Sequence, residues 1–225
     1  MGSQVTDTPA LTTNPKFIFF TDFDGTITLE DSNDFLTDNI GFGYERRRDG
    51  RKHFRDAFRE MMDSVTLPFD KCIEYLKANV KLDPVFKEFY NNIPVVIISG
   101  GMRPIIRALL VQWLGEDEVD NHVQIVSNQV APREGKSIND EGGWQIVYHD
   151  DSVHGHDKSI ELRKYSSLPE QPVMFYAGDD LVSWCERENV SFVTFNDFSD
   201  IMETVKQIVD GKVSVKDAAR GRIHH

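Results

Sequence analysis

Two cysteines in 225 residues, Cys72 and Cys185, cannot build a disulfide framework, and so few suit a reducing compartment. Positive charge is also in deficit. Lys and Arg number 25 against 37 Asp and Glu, for a net charge of −12. A general nucleic-acid binder needs a basic face for its phosphate contacts, so that class is set aside, and a polybasic membrane anchor with it. No apolar run approaches the roughly 20 residues of a membrane span. Residues 1–15 have neither the basic start nor the apolar core of a secretion signal. These absences predict a cytoplasmic protein, with the nucleus as the alternative. What is present, 40% hydrophobic and 28% charged residues, is the composition of an ordinary globular chain.

The chain is organised around Phe17-Ile-Phe-Phe-Thr-Asp22-Phe-Asp24-Gly25-Thr26. A short apolar run rich in aromatic and β-branched residues reads as a buried, parallel strand. It stops at two aspartates one residue apart, where open α/β sheets place their ligand sites. Two like charges there repel unless a cation or a proton intervenes, so a metal site is implied. A calcium-loop reading fails, because Gly25 is fourth rather than sixth and Asn33 stands where Glu is needed.

From Thr28 to about Asn92 the pattern is helical. Asp31-Ser-Asn-Asp34 offers N-cap chemistry, and Phe54, Phe58, Met61, Met62 and Val65 recur at helical spacing. Pro68 is expected in the first turn of the next helix. The α/β pattern resumes at Pro94–Ile98, a second buried strand ending in Ser99-Gly100-Gly101, then a helix that stops at Gly115. Residues 123–130 form a third strand. A hairpin tip at 131–143 precedes a strand at 144–148, and a helix starts near Lys158. A strand at 172–177 ends in Gly178-Asp179-Asp180, followed by a helix (181–188), a strand (191–195) and a helix (199–209). The domain expectation is therefore an arm at 1–15, a core at 16–27 and 93–210, a helical insertion at 28–92 and a flexible tail at 211–225.

Parallel strands would gather four points at one sheet edge: Asp22-x-Asp24, Ser99-Gly-Gly, Lys158 and Asp179-Asp180. Each has a task in phosphoryl transfer, which is mostly positioning and charge neutralisation. One carboxylate can attack phosphorus, and a second can protonate the leaving oxygen and later deprotonate water. A Ser hydroxyl and free N–H groups can hold phosphate oxygens. An ammonium offsets charge, and a third carboxylate completes a hard-oxygen site suited to Mg²⁺.

At these residues the chain resembles the haloacid-dehalogenase superfamily of aspartate-nucleophile phosphatases. Within it the chain is similar to the phosphoserine-phosphatase-like branch and its fungal members. The resemblance implies a doubly wound, Rossmann-like parallel sheet with an α-helical cap inserted after the first strand. It implies Asp22 as nucleophile, Asp24 as general acid and base, Lys158 beside both phosphate and nucleophile, and Ser99 with the Gly100 N–H on phosphate. Mg²⁺ would be held by Asp22, the Asp24 carbonyl and Asp179, with Asp180 a further candidate. Asp31 and Asn33 would face the non-phosphate end of the substrate, a small phosphorylated metabolite such as a sugar phosphate, polyol phosphate or phosphoserine. The sequence departs from the branch after Asp179, where roughly twenty residues are absent. That shortening supports a second reading, an impaired phosphatase fold that binds phosphometabolites or serves as a scaffold. His154 and His156 have no third ligand nearby and read as loop residues rather than a zinc pair. The basic run Arg46–Arg48 with Arg51 and Lys52 reads as a solvated helix face.

Overall fold

Strand β1 (Phe19–Thr21) runs parallel to β2 (Val95–Met102), and β2 runs parallel to β3 (Val123–Pro132). Strand β4 (Trp144–Val147) completes the order β1-β2-β3-β4 by pairing antiparallel to β3. The computed structural model describes residues 19–42, 53–90, 95–166, 198–214 and 217–218. Between β1 and β2 its described helices are α1 (Ser32–Ile40), α2 (Phe54–Asp63), α3 (Phe69–Asn79) and α4 (Phe86–Tyr90). Helices α5 (Arg103–Leu114) and α6 (Glu116–His122) join β2 to β3. Helix α7 (Lys158–Ser166) follows β4, and α8 (Phe198–Val209) comes last. This is the expected mixed α/β architecture with a mainly parallel sheet. The expected strands at 172–177 and 191–195, the helix at 181–188 and the basic run at 46–52 lie outside the described residues.

Val95, Val96, Ile97 and Ile98 are all buried, as a strand covered on both faces requires. Beside β1, the Phe19 ring meets Phe89 edge-on at 4.6 Å and Phe86 meets Phe198 at 5.0 Å, which seats α4 and α8 together. Two details differ from expectation. Strand β2 does not stop at Ile98 but continues through Ser99-Gly-Gly to Met102, with its register against β3 slipping between Ile98 and Met102. Pro68 sits at the N-cap of α3, one position before the first turn.

The helical insert leaves and returns through a narrow neck. Thr28 pairs with Leu82, the Leu29 N–H donates to the Lys81 carbonyl at 2.9 Å, and the Asp83 N–H donates to that of Ile27 at 2.8 Å. A second attachment lies at the far end. Strand β3 leaves β2 after Asn128 and pairs instead with β4, so the hairpin projects towards the insert. There Trp144 Nε1 donates to the Leu67 carbonyl (2.9 Å) and the Phe69 N–H to that of Ile138 (3.1 Å), while the Gly142 N–H donates to that of Thr66 (2.6 Å). The Phe69 and Trp144 rings meet edge-on at 5.3 Å.

Candidate active site

The chain turns sharply after β1. The N–H groups of Thr26, Ile27 and Thr28 all donate to the Phe23 carbonyl, with the Phe23 ring fully buried beneath them. This turn leaves Asp22 and Asp24 in different surroundings. Asp22 is half-buried at the strand end, and its Oδ1 accepts the Phe23 N–H at 2.8 Å. Its Oδ2 accepts from the Lys158 ammonium, joining residues 136 positions apart. Lys158 opens α7 and is presented by a tightly bonded turn: Asp150 Oδ2 accepts the Asp157 N–H at 2.7 Å, and Asp157 Oδ1 accepts the Ser159 N–H at 2.9 Å. Gly155 in that turn has φ of +75°, and a Cβ there would lie 2.2 Å from the Tyr148 ring, so no other residue fits.

Among the described residues Asp24 makes no such ion pair. Its Oδ1 accepts the Ser32 N–H (2.8 Å) and the Ser32 hydroxyl (2.6 Å), and its Oδ2 accepts Asn33 Nδ2 at 2.8 Å. The residue as a whole is half-buried, but the carboxyl group is enclosed between α1 and Gly101. Burial lifts its pKa to about 8, with the charges of Asp31 and Asp22 adding to the rise and the Ser32 bonds opposing it. Three donors do not outweigh desolvation here. Asn33 is buried, and its Oδ1 has no hydrogen-bond partner.

The second motif closes on the first. A Cβ at Gly101 would stand 2.8 Å from Asp24 Oδ2 and 3.2 Å from Ser99 Oγ, so the side chains of both motifs crowd one glycine. Gly100 is the opposite case, with nothing within 4 Å of a Cβ placed there. Ser99 is buried, and its Oγ accepts the Gly101 N–H at 3.0 Å, which leaves the hydroxyl hydrogen free to donate forward.

Of the expected site residues, the structure joins Asp22 to Lys158 and brings Asp24, Ser99 and Asn33 together around Gly101, next to the expected Gly100. Asp31 is the exposed N-cap of α1, its Oδ1 accepting the Asn33 N–H (2.8 Å) and the Asp34 N–H (2.9 Å). Asp179 and Asp180 lie outside the described residues. Three contributors were not anticipated: Ser32 on Asp24, Asn128 on the Gly100 carbonyl (2.6 Å) and His156 on the Ser99 carbonyl (2.7 Å). The only advance signal was position, Ser32 beside Asn33 and His156 two residues before Lys158.

Residues 19–181 match the model of the haloacid dehalogenase-like hydrolases. The chain belongs to that family. It is 44% identical over 223 residues to the Schizosaccharomyces pombe protein Pdp3-interacting factor 1, covering 84% of this chain and 94% of the relative. It is 38% identical over 242 residues to the Saccharomyces cerevisiae polyol phosphate phosphatase PYP1, covering 90% and 98%. Among solved structures, a substrate-bound phosphoserine phosphatase complex superimposes with a TM-score of 0.57 at 17% identity, over 84% of this chain and 98% of the other. That likeness shows a shared fold. No helix among the described residues is long and apolar enough to cross a membrane.

Proposed function

We propose that this hydrolase cleaves a small phosphomonoester, a polyol or sugar phosphate, through an aspartyl-phosphate on Asp22. That it is a phosphatase rests on its family and on its phosphatase relative. The observation that carries the mechanism is the unequal setting of the two carboxylates. Asp22 lies half-buried at the strand end against the Lys158 ammonium, placed to attack. Asp24, lifted to about 8, holds a proton at neutral pH and can give it up. An Asp22 oxygen forms the bond to phosphorus as the ester P–O bond breaks, and the Asp24 proton goes to the leaving oxygen. Asp24 then takes a proton from water, whose oxygen displaces the Asp22 carboxylate and yields inorganic phosphate. Ser99 and the Gly100 N–H hold phosphate oxygens, and Lys158 offsets their charge. The helical insert is read as a cap that excludes bulk water, and Asp31 and Asn33 as its contributions to substrate choice. The unpartnered Asn33 Oδ1 suits a substrate hydroxyl.

Among the described residues no group of three His, Cys, Asp or Glu could by itself hold a metal ion. Asp22 and the Asp24 carbonyl supply hard oxygen donors of the kind Mg²⁺ prefers, and Asp179 would be the third. When bound there, Mg²⁺ would neutralise phosphate charge. The compartment is read as the reducing cytoplasm. Cys72 is a buried free thiol whose pKa burial pushes up to about 12, an unreactive group.

Two observations favour a second reading, a phosphatase fold that works by binding. The pairing with the budding yeast relative runs over 242 residues, more than the 225 of this chain, so it includes gaps in this chain. The fission yeast relative is named for an interaction. Hydrolysis of p-nitrophenyl phosphate and of a panel of polyol phosphates, sugar phosphates and phosphoserine, with Mg²⁺ and with chelator, separates the two readings. Mg²⁺-dependent turnover abolished by Asp22→Asn is expected. Metal-independent turnover, or turnover that survives the substitution, sinks the mechanism; a folded protein that binds phosphate without turnover supports the second reading.

A further inference from the structure

Behind Ser99-Gly100-Gly101 lies a buried polar layer contributed by β3, the chain leaving β4 and the start of α7. His156 is only 5% exposed, and its Nδ1 stands 2.7 Å from the Ser99 carbonyl oxygen. A carbonyl oxygen only accepts, so Nδ1 carries the hydrogen and Nε2 is the bare nitrogen. That Nε2 is enclosed without a partner. Asn128, also buried, donates from Nδ2 to the Gly100 carbonyl and accepts the His149 N–H at 2.8 Å on Oδ1. The His149 ring lies 4.5 Å from that of His156. Its Nε2 is 3.0 Å from Oε1 of buried Glu161, one turn beyond Lys158 on α7.

Both carbonyls of the turn are therefore drawn to the rear. In a planar trans peptide the N–H points opposite to the C=O of the same unit, and every described peptide is trans. A Ser99 carbonyl fixed on His156 aims the Gly100 N–H away from that buried layer. The Gly100 carbonyl fixed on Asn128 likewise aims the Gly101 N–H, which Ser99 Oγ meets.

We infer that His156 is a positioning residue of the phosphate site, fixing through its Nδ1–H and the Ser99 carbonyl the direction in which the Gly100 N–H meets a phosphate oxygen. The inference rests on reading Ser99 and Gly100 as phosphate-binding. Burial, with His149 and Lys158 nearby, holds the imidazole below its ordinary pKa, so the ring supplies direction without adding charge.

Two substitutions separate direction from packing. His156→Leu keeps bulk and removes the donor, whereas His156→Asn restores an N–H near the position of Nδ1. In Mg²⁺-containing buffer, the amide resonance of Gly100 and the inhibition constant of inorganic phosphate against p-nitrophenyl phosphate are measured for each. His156→Leu is expected to move the Gly100 resonance and to weaken phosphate roughly tenfold. His156→Asn is expected to restore the resonance and return phosphate to within about threefold of wild type. Unchanged values in the Leu variant, or equal losses in both, would make His156 a packing residue and overturn the inference. If His156→Leu does not fold, imidazole ¹⁵N shifts of the wild type serve: a hydrogen on Nε2 with Nδ1 bare would also overturn it. Failure of the underlying reading looks different. A wild-type Gly100 resonance unmoved by saturating inorganic phosphate removes phosphate from this turn, while the Leu and Asn contrast still decides the His156 bond.

Discussion

Asp22 and Asp24 are separated by one residue and share almost nothing else. Asp22 stands at a strand end facing an ammonium carried in by α7. Asp24 is turned the other way, beneath Gly101, and is held by two residues of α1. Identical side chains have acquired different surroundings, an ammonium for Asp22 and enclosure with a raised pKa for Asp24. The difference teaches that the insert contributes to the site itself, because Ser32 and Asn33 at its first helix fix the second carboxylate.

The comparison breaks most sharply on leaving-group dependence. Asp22→Asn should cost at least about 10³-fold in kcat/KM on every substrate, because no bond to phosphorus can form. Asp24→Asn should cost about 10²-fold on an alkyl phosphate and far less on p-nitrophenyl phosphate, whose leaving group needs no proton. Equal losses on both substrates would contradict Asp24 as the acid. The two glycines come next. Gly101→Ala drives a methyl into Asp24 and Ser99 and should cost about 2 kcal/mol of stability together with activity. Gly100→Ala finds open space, so its melting temperature should stay close to wild type while phosphate binding weakens. Calorimetry beside phosphate inhibition reads both.

A smaller effect concerns stability without metal. A carboxyl whose folded pKa is raised favours folding below its unfolded value near 4, and that contribution is lost as pH climbs towards about 8. In chelator, Asp24→Asn should therefore melt higher than wild type at pH 8, by several degrees. The gap should close as pH falls to 4. The new amide is accommodated if Asn33 turns its unpartnered Oδ1 towards it. The smallest effect is at Asp31. Asp31→Ala loses the α1 cap and about 1 kcal/mol, whereas Asp31→Asn keeps the cap. A change in substrate ranking seen with both variants would belong to substrate recognition, and one confined to Ala to the cap.

Much of this fold was legible. The apolar runs before Asp22 and Ser99 end in buried strands, and the periodic apolar residues of α2, α3 and α5 face the core, except Phe54, which is exposed. Helix α6 was not legible, because Glu116–His122 carries one apolar residue, Val119, and so has no period to read. Within the site, Lys158 could be set beside Asp22 in advance because the family resemblance implies it, and the structure joins the two. Ser32, Asn128 and His156 could not. They bond to main-chain atoms or to a single carboxylate, and the sequence does not record which carbonyl will need a donor. For Asn33 the structure adds a contact that the sequence did not announce, its amide on Asp24.

The hairpin that reaches across to the insert has a consequence for how the chain folds. Its bonds join residues 69 and 77 positions apart, Asp70 to Asn139 and Leu67 to Trp144. During synthesis α2 and α3 emerge well before the hairpin that seats Phe69, so that ring must wait uncovered until residue 144 has been made. Long-range closure of this kind slows folding. It also ties the neck and the tip of the insert to one sheet, so heating should melt insert and sheet in a single cooperative transition rather than two.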